Sequence, residues 1–315
     1  MNYLYHSTEA YHREAIRTLG WELTLCNALE PHDSPCRKLL RNPAPYGELL
    51  YDYLAQYFPS QKPQRIVEIG GGYGFLMRGF LSRQDFAKVV MIDISPLLIE
   101  KQRDMLRNDG IEYRCEDFLK TPLDTLSGMD IAIMNENLGD FPTLTDLDSV
   151  RLDQLPEDLD PWEREVNRYR VTYGICVPEN SPYALNIGAL TALEKLCVAG
   201  IPLIYLAEHS CEATVPFELN KFISVRASGH PERIPLCGHD EYTIRFSDLE
   251  AMAKSFGYVI RRGPLANILE WDLNKPLRRT LSSPIVISDR DEITRQFIGD
   301  LYQYEYLVMS CKTTP

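Results

Sequence analysis

Val67-Glu68-Ile69-Gly70-Gly71-Gly72-Tyr73-Gly74-Phe75 joins a short apolar run to a glycine-rich turn. Glycine between a strand and a helix permits positive φ and lets a ligand come close to the backbone. A dinucleotide fingerprint, G-x-G-x-x-G, would need glycine at position 75, where Phe75 stands instead. The pattern present is E-x-G-x-G-x-G, which does not demand a pyrophosphate-clasping turn. Three glycines can also make a tight turn that binds nothing, so the loop takes its meaning from its surroundings.

Outward from the loop, strand-like apolar runs alternate with helical spacing. Residues 65–69 form the first strand and 75–82 the helix opened by the loop. Further strands are predicted at 88–94, 111–115, 129–135, 201–207, 258–262 and 304–311. Helices are predicted after Pro96, at 183–199, from a Ser247 cap to Phe256, and around 292–300. This alternation implies an α/β fold with a parallel, doubly wound sheet covered on both faces. Residues 1–62 read as a helical N-terminal arm: Ser7-Thr8-Glu9 can cap a helix to about Leu19, prolines 31, 35, 43 and 45 mark an irregular stretch, and helical spacing returns over 46–58. Within the domain at 63–315, segments at about 140–182, 209–242 and 264–290 depart from the alternation. The first two follow the fourth and fifth strands, at the edge where such sheets bind ligands. They are either covers over a substrate or padding at the sheet's edge.

The chain has 315 residues, 44% hydrophobic and 25% charged, which excludes fibrous and disordered classes. Its 33 basic and 45 acidic residues give a net charge of −12. That balance argues against nucleic acid and an anionic membrane surface as partners. No apolar run approaches a membrane span, and the first residues lack the basic and apolar regions of a signal peptide. The 8 cysteines contain no C-x-x-C and read as reduced, so a cytosolic protein is expected. The sequence sets no oligomeric state.

Two acids follow the loop in order. Asp93 ends the second strand, 93 − 70 = 23 residues past the first loop glycine, where a carboxylate can accept ribose hydroxyls. Glu116-Asp117-Phe118 follows the third strand. Either acid alone could be a solvated loop carboxylate, and the Asp93 spacing alone also suits NAD. With the loop, however, the set resembles class I S-adenosylmethionine (AdoMet) methyltransferases across about residues 45–311. The resemblance implies a Rossmann-like, seven-stranded sheet with an antiparallel last strand, and AdoMet as cofactor. It implies that Glu68, Gly70, Gly71, Gly72 and Gly74 cradle the cofactor. Asp93 with Ile94 would meet the ribose, Asp117 the adenine amino group and Phe118 the adenine face.

A narrower resemblance is to the MidA-like family, which includes the mitochondrial arginine methyltransferase that assists complex I assembly. It rests on Phe75-Leu76, Ile94-Ser95-Pro96, Gln102-Arg103 and Asn135-Glu136-Asn137-Leu138-Gly139-Asp140-Phe141-Pro142, similar to "N-E-x-x-D-A-x-P". Pro235-Leu236-Cys237-Gly238 with Thr243, and Phe246-Ser247-Asp248-Leu249, echo later motifs. Tyr46-Gly47-Glu48 is the match in the arm, and it implies a place for Tyr46 at the cofactor site. Departures fall on the substrate side: Gly139 precedes Asp140 where the family has Asp, the fifth strand ends Ala207-Glu208-His209, and the arm lacks "G-D-F-x-T". The resemblance implies protein arginine as acceptor.

Methyl transfer is an in-line displacement at an already activated sulfonium carbon, so the protein mainly aligns the nucleophile and excludes water. At the end of the fourth strand, Asn135 offers a carbonyl and amide, and Glu136 a carboxylate able to hold a guanidinium or amine. Asn135 and Glu136 are therefore the candidate catalytic residues, Asn135 also touching cofactor; alternatively Glu136 only caps backbone amides. The insertion that follows is acidic (Asp140, Asp146, Asp148, Asp153, Glu157, Asp158, Asp160, Glu163, Glu165), suiting a basic substrate or simply a solvated loop. Trp162, Tyr169 and Tyr173 are lid or core aromatics. His209, His230 and His239 are possible bases, and no spacing among them suggests a metal site. Three other readings stay open: a small-molecule methyltransferase, an NAD-dependent dehydrogenase, and a non-catalytic scaffold on the same fold.

Overall fold

The computed structural model describes residues 3–14, 16, 24–58, 62–150, 152, 159–176, 182–283, 285 and 288–311. The chain opens with β1 (Leu4–His6), α1 (Glu9–Glu14), α2 (Leu25–Leu29) and α3 (Tyr46–Leu54). It continues through β2 (Arg65–Ile69), α4 (Phe75–Arg83), β3 (Lys88–Asp93), α5 (Pro96–Leu106), β4 (Ile111–Cys115) and β5 (Ile131–Asn135). Next come β6 (Thr143–Leu147), α6 (Pro161–Tyr173), β7 (Tyr183–Leu185), α7 (Ile187–Val198) and β8 (Leu203–His209). The last elements are β9 (Arg233–Pro235), β10 (Asp240–Tyr242), α8 (Phe246–Ser255), β11 (Val259–Pro264), α9 (Lys275–Ser282), α10 (Asp289–Gln303) and β12 (Tyr304–Ser310).

Seven strands form the main sheet in the order β11-β12-β8-β5-β2-β3-β4, matching the seven predicted from sequence. β8, β5, β2, β3 and β4 run parallel, while β12 is antiparallel to both β8 and β11. Alternate residues feed opposite layers. Ala132 and Met134 of β5 join Val67, Ile69 and Leu206 under α7 and α8. Ile131 and Ile133 join Ile66 and Tyr205 against α3, α4 and α10. The chain leaves β2 toward β3 on one side and returns as β5 on the other. This makes a topological switch point, with a crevice at the carboxyl ends of β2 and β5. α3 packs against α4 backbone to backbone: a Cβ at Gly79 would lie 2.5 Å from the Gly47 carbonyl carbon.

The arm is not wholly helical. β1 pairs antiparallel with β6, and β6 with β7, forming a small sheet that ties the arm to the first insertion. Residues 183–185, predicted as the start of a helix, are therefore strand, because a partner from the insertion competes for their backbone groups. Asn186 then breaks the chain's direction, its amide donating to Thr143 Oγ1 and the Thr243 carbonyl at 3.2 Å each. α8 begins one residue before Ser247, so Ser247 is not its cap. The Ser247 N–H instead donates 2.8 Å to Glu212 Oε2, a cap supplied from another segment. Beyond Glu14, residues 15 and 17–19 of the predicted first helix lie outside the described residues, as do Asp153, Glu157 and Asp158. Asp160 and Glu163 form a capping box on α6, so part of the insertion's acidity serves local structure. The cysteines are free, and among the described residues no helix is long and apolar enough to cross a membrane.

Candidate active site

A cavity of about 380 Å³ opens at the switch point. Its floor is the loop after β2, where Gly70 and Gly72 take φ of 67° and 52°. The Gly70 N–H donates 2.8 Å to the Ile92 carbonyl, fastening the loop to β3. A Cβ on Gly70 would fall 2.2 Å from Asn137 Nδ2, whose amide in turn donates to the Ile69 carbonyl. Glycine is thus demanded both by conformation and by the close approach of the β5 turn. Gly70, Gly71 and Gly72 line the cavity. Gly74 lies outside the wall, because at φ 83° it serves as the N-cap of α4.

The acids named from sequence converge here. Glu68, Asp93, Asp117 and Glu136 all line the cavity, with Ile94, Phe118 and Asn135 beside them. Asp93, 4% exposed, accepts from the Ser95 N–H at 2.9 Å and from Gln102 Nε2 at 3.0 Å. Gln102 also donates to the Gly72 carbonyl at 3.1 Å, so one α5 side chain links the acid to the glycine loop. Burial pushes the Asp93 carboxyl up to about 6, against the pull of the Ser95 N–H. Glu68, 2% exposed, is pushed up to about 8 by burial and by the negative charge of Asp93, and its Oε2 has no hydrogen-bond partner. Asp117 caps the turn after β4, accepting from the Leu119 N–H at 2.9 Å and pairing with Lys120 at 2.9 Å. Lys195 of α7 stands 5.5 Å from the Phe118 ring centroid and donates to the carbonyls of Phe118, Leu119 and Thr121 at 2.7–2.9 Å.

At the end of β5, Asn135 is held from both sides. Its side-chain Oδ1 accepts from the Tyr46 hydroxyl at 3.0 Å and its side-chain amide donates to Glu136 Oε1 at 2.9 Å. Tyr46, 1% exposed, lies behind Asn135 and not on the wall, because its hydroxyl is drawn to the buried Tyr205 hydroxyl at 2.6 Å. It orients Asn135 from the core. Glu136 takes a left-handed φ of 55°, sparsely populated for a side chain of this size. Its Oε2 accepts from the Leu25 N–H at 2.8 Å, fastening α2 of the arm to the site. Burial pushes this carboxyl up to about 7, against the pull of that N–H. Each carboxylate oxygen keeps a further lone pair for a ligand.

The arm and the first insertion form the cover. Tyr5, Thr8, His12, Thr24 and Cys26 line the cavity from the arm, and Phe141, Pro142 and Trp162 from the insertion. Trp162 stacks on Tyr5 with centroids 5.2 Å apart, making it a lid aromatic, whereas Tyr169 is fully buried core. Of the histidines named from sequence, His209 packs against Tyr304 with ring planes tilted by 34°, and His230 is an exposed residue bonded to the Ser228 carbonyl. Neither reaches the cavity; His12 does, paired with Asp140 at 2.8 Å. His12, Asn137 and Tyr5 carry no signal in the sequence, since the first and last reach the site only through the arm's folding back over the sheet.

Residues 67–149 match the family described as methyltransferase domain. The chain carries a class I AdoMet-dependent methyltransferase domain. A COG1565 superfamily member from Burkholderia thailandensis, solved with S-adenosylhomocysteine, is similar in structure at TM-score 0.52 and 15% identity, covering 91% of this chain and 78% of that one. The methyltransferase solved with the Trm112 activator of Haloferax volcanii aligns at TM-score 0.47 and 14% identity, over 84% of this chain and 89% of that one. Magnesium protoporphyrin IX methyltransferase from Synechocystis PCC 6803 aligns at 0.41 and 10%, over 84% and 80%. No curated protein matches the chain in sequence. The methyltransferase thus shares its overall fold with the Burkholderia protein.

Proposed function

We propose that this methyltransferase binds AdoMet across the switch point and passes its methyl group to a cationic, nitrogen-bearing acceptor held by Asn135 and Glu136. One observation carries the reading. Seven carboxylates line the cavity (Glu9, Glu68, Asp93, Glu116, Asp117, Glu136 and Asp140), and Lys120 is the one fixed cation on its wall among the described residues. Such a wall favours a sulfonium and an ammonium or guanidinium over an anionic or neutral guest. Asp93 receives the ribose hydroxyls, Asp117 the adenine amino group and Phe118 the adenine face, with Glu68 and the glycine loop under the methionine part. Bound AdoMet would supply an already activated methyl group. Glu136, whose raised pKa suits the task, would take the proton that the acceptor nitrogen must lose for its lone pair to be free to form the new C–N bond.

Protein arginine, the acceptor implied by the MidA-like resemblance, suits the Asn135-Glu136 pair and the acidic wall. A compact cationic metabolite is the second reading, favoured by the Tyr5–Trp162 stack across the cover. The free cysteines fit a reducing, cytosolic setting. Incubation with methyl-tritiated AdoMet and a cell extract separates the two acceptors. Label in protein supports arginine; label only in the small-molecule fraction removes it. Labelling that survives Glu136→Gln unchanged removes Glu136 from its role.

A further inference from the structure

Three segments far apart in sequence bring two imidazoles to one carboxylate. His12 comes from α1 in the arm, Asp140 from the turn after β5, and His239 from the β9–β10 hairpin. Asp140 Oδ1 lies 2.8 Å from His12 Nε2 and 3.7 Å from His239 Nε2, and one donor atom from each residue lies within 4.8 Å of the others. A second carboxylate oxygen, Glu241 Oε1, is 3.1 Å from His239 Nε2. The 3.7 Å separation is too long for a hydrogen bond. The set brackets the roughly 3.3 Å edge between neighbouring donors on a tetrahedral ion bound at about 2.0–2.1 Å.

We propose that His12, Asp140 and His239 form a site for a divalent ion of the zinc class. Two imidazoles with a carboxylate suit zinc better than the all-oxygen demands of magnesium or calcium. The His239 side chain is 4% exposed and stacks on Tyr11 with centroids 4.0 Å apart and planes at 17°. Its Nδ1 has no hydrogen-bond partner, so this packing sets the ring plane in place of the usual outer-shell bond. His12 and Asp140 are also on the cavity wall. The ion therefore acts as a clip, fastening the arm to the β5 turn and the hairpin and holding the cover over the cofactor. The site itself stands apart from the methyltransferase reading; only the cover's purpose rests on it.

Chelator-treated full-length protein titrated with zinc chloride by calorimetry, and with cobalt(II) by visible spectroscopy, tests the site. The wild type should take up about one ion per chain, with a tetrahedral cobalt spectrum, and thermal stability should rise with zinc. His12→Ala and His239→Ala should each weaken uptake by roughly a hundredfold, while His230→Gln, outside the cluster, leaves it intact. Asp140→Asn, nearly isosteric, gives the same reading should an alanine variant fail to fold. No uptake by the wild type, or uptake equal in wild type, His12→Ala and His239→Ala, overturns the proposal. S-adenosylhomocysteine titrated into the same samples keeps the readings separate: its failure to bind sinks the cofactor assignment and leaves the zinc result standing.

Discussion

Asp93 holds two donors of its own, the Ser95 N–H and the Gln102 amide, before any ribose arrives. A side chain so pinned is preorganised, and removing it strands both donors as well as the ligand's hydroxyls. Asp93→Ala should therefore weaken S-adenosylhomocysteine binding by about 2–4 kcal/mol in calorimetry; an unchanged affinity would reject the ribose assignment. Glu68 makes a different prediction, because among the described residues no cation pairs with it. Burial and neighbouring Asp93 raise it from 4.5 to about 8, so between those values the folded chain keeps a proton that the unfolded chain has lost. Stability contributed by this group is thus lost as pH rises through that window. Glu68→Gln, a neutral isostere, should melt higher than wild type in denaturant at about pH 8 and equal it near pH 4. A variant less stable at the higher pH would show that the buried charge is compensated. Both acids were legible in the sequence because each sits where a strand meets a loop. Tyr46 was legible only as a motif residue, and its actual work, orienting Asn135 from behind, depends on a tyrosine of β8 that no local pattern links to it.

Among the elements, the turn after β4 is held from outside itself. Lys195 reaches it from α7 and satisfies three carbonyls with one ammonium, while burial pulls its pKa down against the pull of Asp117 and Glu116. Lys195→Met keeps the stem's packing but takes the ammonium from three carbonyls, of which the Phe118 carbonyl keeps the Thr121 N–H at 3.1 Å. The expected cost is about 2–3 kcal/mol in urea unfolding, with weaker S-adenosylhomocysteine binding because Phe118 loses its fixed position. Full stability with lost binding would instead place Lys195 in direct contact with ligand. The same long-range character explains what was readable among the elements. The inner strands β2, β3, β5, β8 and β12 announce themselves as apolar runs, since burial on both faces removes polar alternation, whereas the edge strands β4 and β11 are half-exposed and carry charged residues. The three-residue strands β1, β7, β9 and β10 are too short to show such a run: each exists because a partner lies opposite, His6 against Thr143 or Tyr183 against Leu147. Sequence periodicity over 183–199 accordingly extends the α7 helix back across residues that the insertion claims for a strand.

Across the whole molecule, the buried acids turn the cavity into a charge-selective receptor whose strength depends on pH. Glu68, Glu136 and Asp93 are held near 8, 7 and 6, chiefly by burial, so much of the wall is neutral in mildly acidic solution. As pH rises through these values the wall gains negative charge without gaining a cation, and the empty protein should lose stability. A bound sulfonium reverses the balance: it favours the ionised acids, lowers their pKa values and releases protons on binding. AdoMet and S-adenosylhomocysteine differ by one methyl and one positive charge, so the ratio of their affinities isolates this effect from contacts they share. That ratio should move toward AdoMet by roughly three- to tenfold between about pH 6 and pH 8, equivalent to about 0.7–1.4 kcal/mol. Calorimetry of both ligands at the two pH values, in buffers of different ionisation enthalpy, reads the ratio and the proton release together. A ratio that stays constant across this range would mean that the acids are already compensated in the empty cavity, and the acidic wall would then no longer favour a cationic acceptor over a neutral one.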